Sequence, residues 1–319
     1  MYQQPIFLKP VFKDRIWGGT KLREIYNYNI PTETTGECWG ISAHPNGPNE
    51  ILNGPLQGKT LLEAWQNHRE LFAHQEGLEF PLLTKILDAS QDLSVQVHPD
   101  DTYAKEVENY PFGKTECWYI IDCEEDSELI FGHHASTKEE FEQLVKNGAW
   151  NDLLRRVKVK PGEFYYIPSG TIHAIGKGIL LLETQQSSDI TYRVYDYDRR
   201  DSVGHLRELH IEKSIDVSSI PHKDVSFRPS VTVEEGFVSK LLIEEDYFTV
   251  QHWKGKGSFV RETNNNYYLF SVLEGDGVVQ TKEGDFPFKK GDHFIIPSTL
   301  KEYKISGDTE IIVSNPTLK

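Results

Sequence analysis

An internal repeat constrains this 319-residue chain more than any other feature. The segment from Val157 to Gly176, VKVKPGEFYYIPSGTIHAIG, matches that from Phe286 to Gly307, FPFKKGDHFIIPSTLKEYKISG. Both run strand, charged residue, glycine turn, five residues, proline, and Gly162 to Pro168 has the spacing of Gly291 to Pro297. Upstream, ECWYIID from Glu116 matches NYYLFSV from Asn266. A supersecondary unit used twice, rich in aromatic and β-branched residues, predicts two related small β-barrels. The alignment sets Glu116 opposite Asn266 and His173 opposite Glu302, so only the first copy carries this polar pair. The second copy therefore serves as an internal control.

The first copy is longer by 21 residues, about the size of a small helical insertion. Thr137 with Glu140 reads as a capping box, and Phe141, Leu144, Val145, Leu153 and Leu154 continue as one or two helices over about 137–155, interrupted at Gly148. Thr60 with Glu63 caps a second segment over about 59–73, with Leu61, Leu62, Trp65 and Phe72 as its apolar stripe. A polar stretch from Ser218 to Pro229 reads as a linker. The expected layout is thus a longer first domain over 1–220 that carries the polar set and a second barrel lacking it over 230–319.

Acidic residues outnumber basic ones by 49 to 34, a net charge of -15, which argues against nucleic acid or an anionic membrane as partner. An anionic small molecule would need a local basic pocket. Cys38, Cys117 and Cys123 lack zinc-ribbon spacing and are odd in number, so buried free thiols are expected. The opening MYQQPIFLKP does not read as a leader, no apolar run is long enough to span a bilayer, and a cytoplasmic protein is expected.

The polar residues of the first copy have a companion strand at Leu93–Asp101, LSVQVHPDD. Alternation puts Ser94, Gln96 and His98 on one face and Leu93, Val95 and Val97 on the other, with Pro99 and the two aspartates reading as its stop. Alone, this is equally a strand with a polar outer face. Lys85, the one charge in FPLLTKIL, reads as an edge lysine as readily as a functional one, and His44 as a solvated loop residue. Gly162-x5-Pro168-x-Gly170-x2-His173, however, matches the second motif of the cupin barrels, which sends its histidine into the barrel mouth. Cupins supply further ligands from an earlier strand pair, usually as HxH and a glutamate; here Gln96-x-His98 and Glu116 stand in those places. Two imidazoles, a carboxylate and an amide oxygen suit zinc or another first-row divalent ion.

These residues also carry a closer resemblance. QVHPDD at Gln96, GKTECWY at Gly113, PSGTIHAIG at Pro168 and SSDITYRVYDYDR at Ser187, with RIWGG and ECWGIS earlier, together resemble the class I mannose-6-phosphate isomerases in their short bacterial form. The resemblance implies two cupin-type jelly-roll domains and one catalytic zinc per chain held by Gln96, His98, Glu116 and His173. It also implies an active-site Arg193, substrate contacts from Ser94 and Lys114, and Asp189 as a proton-transfer candidate. Lys85 and Lys114 would supply positive potential for a phosphosugar. Zinc-bound water and a neighbouring lysine remain alternative proton shuttles, and a monomer and a homodimer are both compatible with the sequence. Two other readings stay open: an iron(II) oxygenase built on a two-histidine, one-carboxylate triad, and a non-catalytic sugar-sensing or storage cupin.

Overall fold

A computed structural model describes residues 2–200, 204–234 and 236–318. It is mainly β, in two cupin-type halves with few helices. In the first half a six-stranded sheet runs, edge to edge, Phe164–Ile167, Glu116–Cys123, Ile179–Gln186, Leu82–Asp88, Thr35–Ile41 and Val11–Gly19. Facing it is a five-stranded sheet ordered Tyr192–Tyr195, Val95–Val97, His173–Ile175, Glu128–His133 and Leu154–Lys158.

The alternation of Leu93–Asp101 decides how these sheets are used. Val95 and Val97 turn outward into an apolar cluster with Phe141, Val145 and Leu153, so the inserted helices Lys138–Lys146 and Trp150–Leu153 cap the outer face. Ser94 and Gln96 turn inward to line a cavity. The outer face of the six-stranded sheet is apolar too: Cys38, Ile86, Leu180 and Leu182 share a core cluster with Trp65, Phe72, Phe248 and Ile312, joining the two halves. Cys38 and Cys117 are buried and all three cysteines are free thiols.

The second half is one nine-stranded sheet, and two of its strands come from the start of the chain. Ile6–Lys9 pairs antiparallel with His293–Ile296 and with Glu50–Ile51. The strand Ile6–Lys9 thus ties the two halves together in space, across the stretch Ser218–Pro229 that reads as a linker.

Both expected helices form, with differences in detail. Thr60 and Glu63 make a reciprocal capping box on Leu61–Asn67, and Arg69–Phe72 follows as a 3₁₀ turn. Thr137 caps Lys138–Lys146, but the Glu140 carboxylate accepts from Ser136 N–H instead of closing the box. Asp100, expected as part of a strand stop, is also an N-cap, accepting from Tyr103 N–H at 2.8 Å and opening a helix over Asp101–Val107.

Candidate active site

Two cross-strand rows face each other inside the first half. On the five-stranded sheet Arg193 pairs with Gln96, and Gln96 with His173. On the six-stranded sheet Trp39 pairs with Lys85, Lys85 with Glu183, and Glu183 with Trp118. Between them lies a cavity of about 550 Å³, within the range of small-molecule sites.

At one end His98, Glu116 and His173, all buried, bring one ligand atom each within 4.8 Å of one another. His98 Nδ1 lies 2.8 Å from the carbonyl oxygen of Ile190, and His173 Nδ1 2.8 Å from that of Thr171. Each Nδ1 therefore carries the proton it donates, which leaves Nε2 with its lone pair facing inward. His98 Nε2 is 3.6 Å from one Glu116 oxygen and His173 Nε2 is 3.3 Å from the other. Burial holds both imidazoles neutral, pushing His98 well below the ordinary value and His173 down to about 4. The Glu116 oxygens, though buried, accept no well-formed hydrogen bond. Two inward imidazole lone pairs and a carboxylate converging on one point are a donor set that fits a divalent metal. The Gln96 amide, with its nitrogen 3.3 Å from His173 Nε2, is a fourth group at this centre.

Charges surround the centre. Lys114 Nζ is 2.7 Å from Glu116 and 3.3 Å from His98 Nε2. Lys85 Nζ is 3.3 Å from Glu183, whose other oxygen accepts from Trp118 Nε1 at 3.0 Å. Burial raises the Glu116 carboxyl to about 7, with the Glu183 charge adding and Lys114 opposing. Burial pulls Lys114 the other way, but Glu116 and then Glu183 overcome it and hold its proton more tightly. The Glu183 charge contributes to both shifts, after burial for Glu116 and after Glu116 itself for Lys114. Arg193 Nε donates to Ser94 Oγ at 3.3 Å and Nη1 to the Glu208 carbonyl at 2.8 Å. Asp189 sits at the rim, its side chain half exposed, and accepts from Asn46 Nδ2 at 2.8 Å.

Six of the nine sequence candidates, Lys85, Ser94, Gln96, Lys114, Asp189 and Arg193, line this cavity, and His98, Glu116 and His173 are buried behind Gln96 and Lys114. The structure also adds residues that the motifs did not single out: Glu183, Glu37, Trp39, Lys13, Arg15 and Arg207. Glu183 and Glu37 had a signal, an acidic residue inside an otherwise apolar strand in ILLLETQQ and ECWGIS. Arg15 stood in the quoted RIWGG segment with no role assigned, and Lys13 and Arg207 had no signal. His44, expected in solvent, is instead buried edge-on against Trp39 and 3.8 Å from Asp189, because its loop folds down over the rim.

The phosphomannose isomerase type I catalytic-domain model matches residues 6–131, and the mannose-6-phosphate isomerase cupin-domain model matches 238–316. Mannose-6-phosphate isomerase ManA of Bacillus subtilis is 55% identical over 317 residues, covering 99% of this chain and 100% of that protein. The chain belongs to the type I mannose-6-phosphate isomerase family. It is an enzyme of that family, and other members agree along its whole length. The mannose-6-phosphate isomerase of Streptococcus mutans is 49% identical over 312 residues, with 98% of each chain covered. The crystal structure of a Bacillus subtilis mannose 6-phosphate isomerase superposes with a TM-score of 0.96 at 52% identity, covering 98% of this chain and 99% of that one. The apo enzyme of Salmonella typhimurium shares the fold at 18% identity, with a TM-score of 0.78 over 99% and 100% of the two chains. Among the described residues no helix is long and apolar enough to cross a membrane.

Proposed function

We propose that this family member is a zinc-dependent aldose–ketose isomerase that interconverts mannose 6-phosphate and fructose 6-phosphate through a cis-enediol. The observation that carries the reading is the buried His98–Glu116–His173 cluster, in contact through Gln96 and Lys114 with a cavity of mostly cationic charge. Six lysines and arginines line that cavity against Glu37, Glu183 and Asp189, in a protein whose overall charge is -15. A local positive field within an acidic protein suits an anionic substrate such as a sugar phosphate.

His98, Glu116, His173 and Gln96 would hold the zinc. When bound it would act as a Lewis acid, polarising the oxygens on C1 and C2 of the open-chain sugar. Arg193, tethered to Ser94 and the Glu208 carbonyl, keeps Nη2 to stabilise negative charge developing on the enediol. Lys114 keeps its charge beside the cluster and can donate to the same oxygens. Asp189, held by Asn46 at the rim, is assigned the proton transfer between C1 and C2. Ser94, Lys114 and Lys85 are assigned to substrate contact. We place the reaction in the cytoplasm, where thiols such as Cys38, Cys117 and Cys123 stay reduced.

A coupled assay of mannose 6-phosphate conversion with and without chelator tests this reading, with loss of activity on chelation and recovery with zinc expected. Run in deuterated water, the product should carry deuterium at C1 or C2. Full turnover by metal-free protein would sink the zinc role, and dioxygen consumption without hexose-phosphate exchange would point to the oxygenase reading instead.

A further inference from the structure

The contacts made by the six cationic side chains of the cavity sort them by the donors each has left to offer. Lys85 and Lys114 are buried and paired with the buried carboxylates of Glu183 and Glu116, so their charge is balanced where it stands. Arg207 closes its fork on Asp196, Nε to one oxygen and Nη2 to the other. Arg193, with Nε on Ser94 and Nη1 on the Glu208 carbonyl, still has Nη2 to offer, but it pairs with Gln96 and so stands at the reacting end of the cavity.

Lys13 and Arg15 combine donors to spare with a place away from that end. They stand two residues apart on the strand Val11–Gly19 and so project from the same face, with Trp17 next in the alternation and lining the same cavity. Lys13 Nζ donates to the Asn46 carbonyl at 2.6 Å and lies 4.9 Å from the Trp39 ring. Arg15 Nε donates to Glu37 at 2.7 Å and Nη1 to the Asp14 carbonyl at 3.1 Å. Glu37 is buried and is fixed in turn by Trp39 Nε1 at 2.6 Å. The Arg15 guanidinium is therefore pre-set, and among the described residues its Nη2 and two of the Lys13 ammonium protons have no hydrogen-bond partner.

We propose that Lys13 and Arg15 are the phosphate anchor of this cavity. The inference rests on the phosphosugar reading above and says which way the sugar lies: C1 and C2 toward Gln96 and Lys114, the phosphate toward the strand Val11–Gly19. A phosphate monoester takes charge-assisted donors best when a guanidinium and an ammonium already point at one place, because less side-chain freedom is lost on binding. Trp39 divides the two ends of the site, its ring 5.3 Å from Lys85 Nζ on the reacting side and 4.9 Å from Lys13 Nζ on the other.

The test uses zinc-loaded full-length protein and two readouts: steady-state kinetics with mannose 6-phosphate, and calorimetric binding of inorganic phosphate alone. In Lys13→Ala/Arg15→Ala the KM should rise by about tenfold or more and phosphate binding weaken by a similar factor, with kcat moving less than about threefold. Lys13→Ala leaves the Arg15–Glu37 pair intact and should show part of the effect; Arg15→Lys should recover part of the loss. Wild-type KM and phosphate affinity in the double variant would overturn the anchor, as would a fall in kcat alone, which would mark Arg15 as a support for Glu37. The same losses appearing in Arg207→Ala and not in the double variant would overturn it too, by moving the phosphate to the opposite wall. If the unmutated protein binds phosphate through Lys13 and Arg15 yet does not isomerise mannose 6-phosphate, the anchor stands and the isomerase reading fails.

Discussion

The two halves of this chain share their turns and differ in what fills them. Inside the first stand His98, Glu116, His173 and Glu183, all buried and polar. Inside the second stand Trp253, Phe259, Phe270, Phe288, Phe294 and Tyr303, a closed aromatic core in which Phe270 and Phe294 stack at 4.8 Å. The counterparts of the ligands are not merely changed but displaced. Asn266 lies in the turn before its strand, its Oδ1 accepting from Tyr267 N–H, and Glu302 points to solvent while Tyr303 turns inward. His293, at the position of Phe164, is buried but already bonded to Ser271 at 2.9 Å and to Tyr28 at 3.1 Å. Glycine and proline turns therefore build the scaffold, and inward side chains decide whether it becomes a site or a core.

The widest separation between the halves should come from removing a ligand. His173→Ala should lose bound metal and all measurable isomerisation while the aromatic core of the second half stays folded, which metal analysis and near-ultraviolet circular dichroism can read together. Collapse of that core as well would mean that the halves do not divide their labour as the comparison says. Asp189→Asn should retain metal and lower kcat by ~10²–10⁴-fold, the usual worth of an acid/base group; a value near wild type would move the proton to another residue. Phe270→Ala makes the complementary cut, destabilising the protein by about 3–5 kcal/mol as a large core cavity does while leaving kcat per folded molecule intact.

A smaller effect should appear where the halves meet. Glu310 of the second half accepts from His252 at 2.8 Å and from Tyr119 of the first half at 2.9 Å, and ion-pairs with Lys254 at 2.6 Å. The His252 hydrogen bond first, with those of Lys254 and Tyr119, holds its carboxyl down to about 2 against burial. Because the folded pKa lies below the unfolded one, this contribution is complete above about pH 4.5 and is lost as pH falls from there toward 2. Glu310→Gln should cost roughly 1.5–3 kcal/mol at neutral pH, the worth of hydrogen bonds to a charged group, and flatten the acid limb of a denaturation series.

Much of the catalytic half is legible in the sequence because its signals are local. Alternation in LSVQVHPDD separates the outward Val95 and Val97 from the inward Ser94 and Gln96 without reference to any partner. The glycine and proline spacing before His173 sets a turn wherever it occurs, and Thr60 with Glu63 closes its own capping box. Other features depend on which strands become neighbours. Lys85 looks like an edge lysine until Glu183, nearly a hundred residues away, lies beside it. Ile6–Lys9 falls within the 1–220 range of the first expected domain, yet its strand partner is His293–Ile296 in the second half's sheet.

Lys13 and Arg15 show the same limit most clearly. Their alternation says only that they share a face; the pairing of Lys13 with Glu37 across two strands is what turns that face into the cavity. Period-two patterning determines sidedness within a strand. Charge balance, burial and the direction from metal centre to rim are properties of distant strands brought together, and only the tertiary structure decides them.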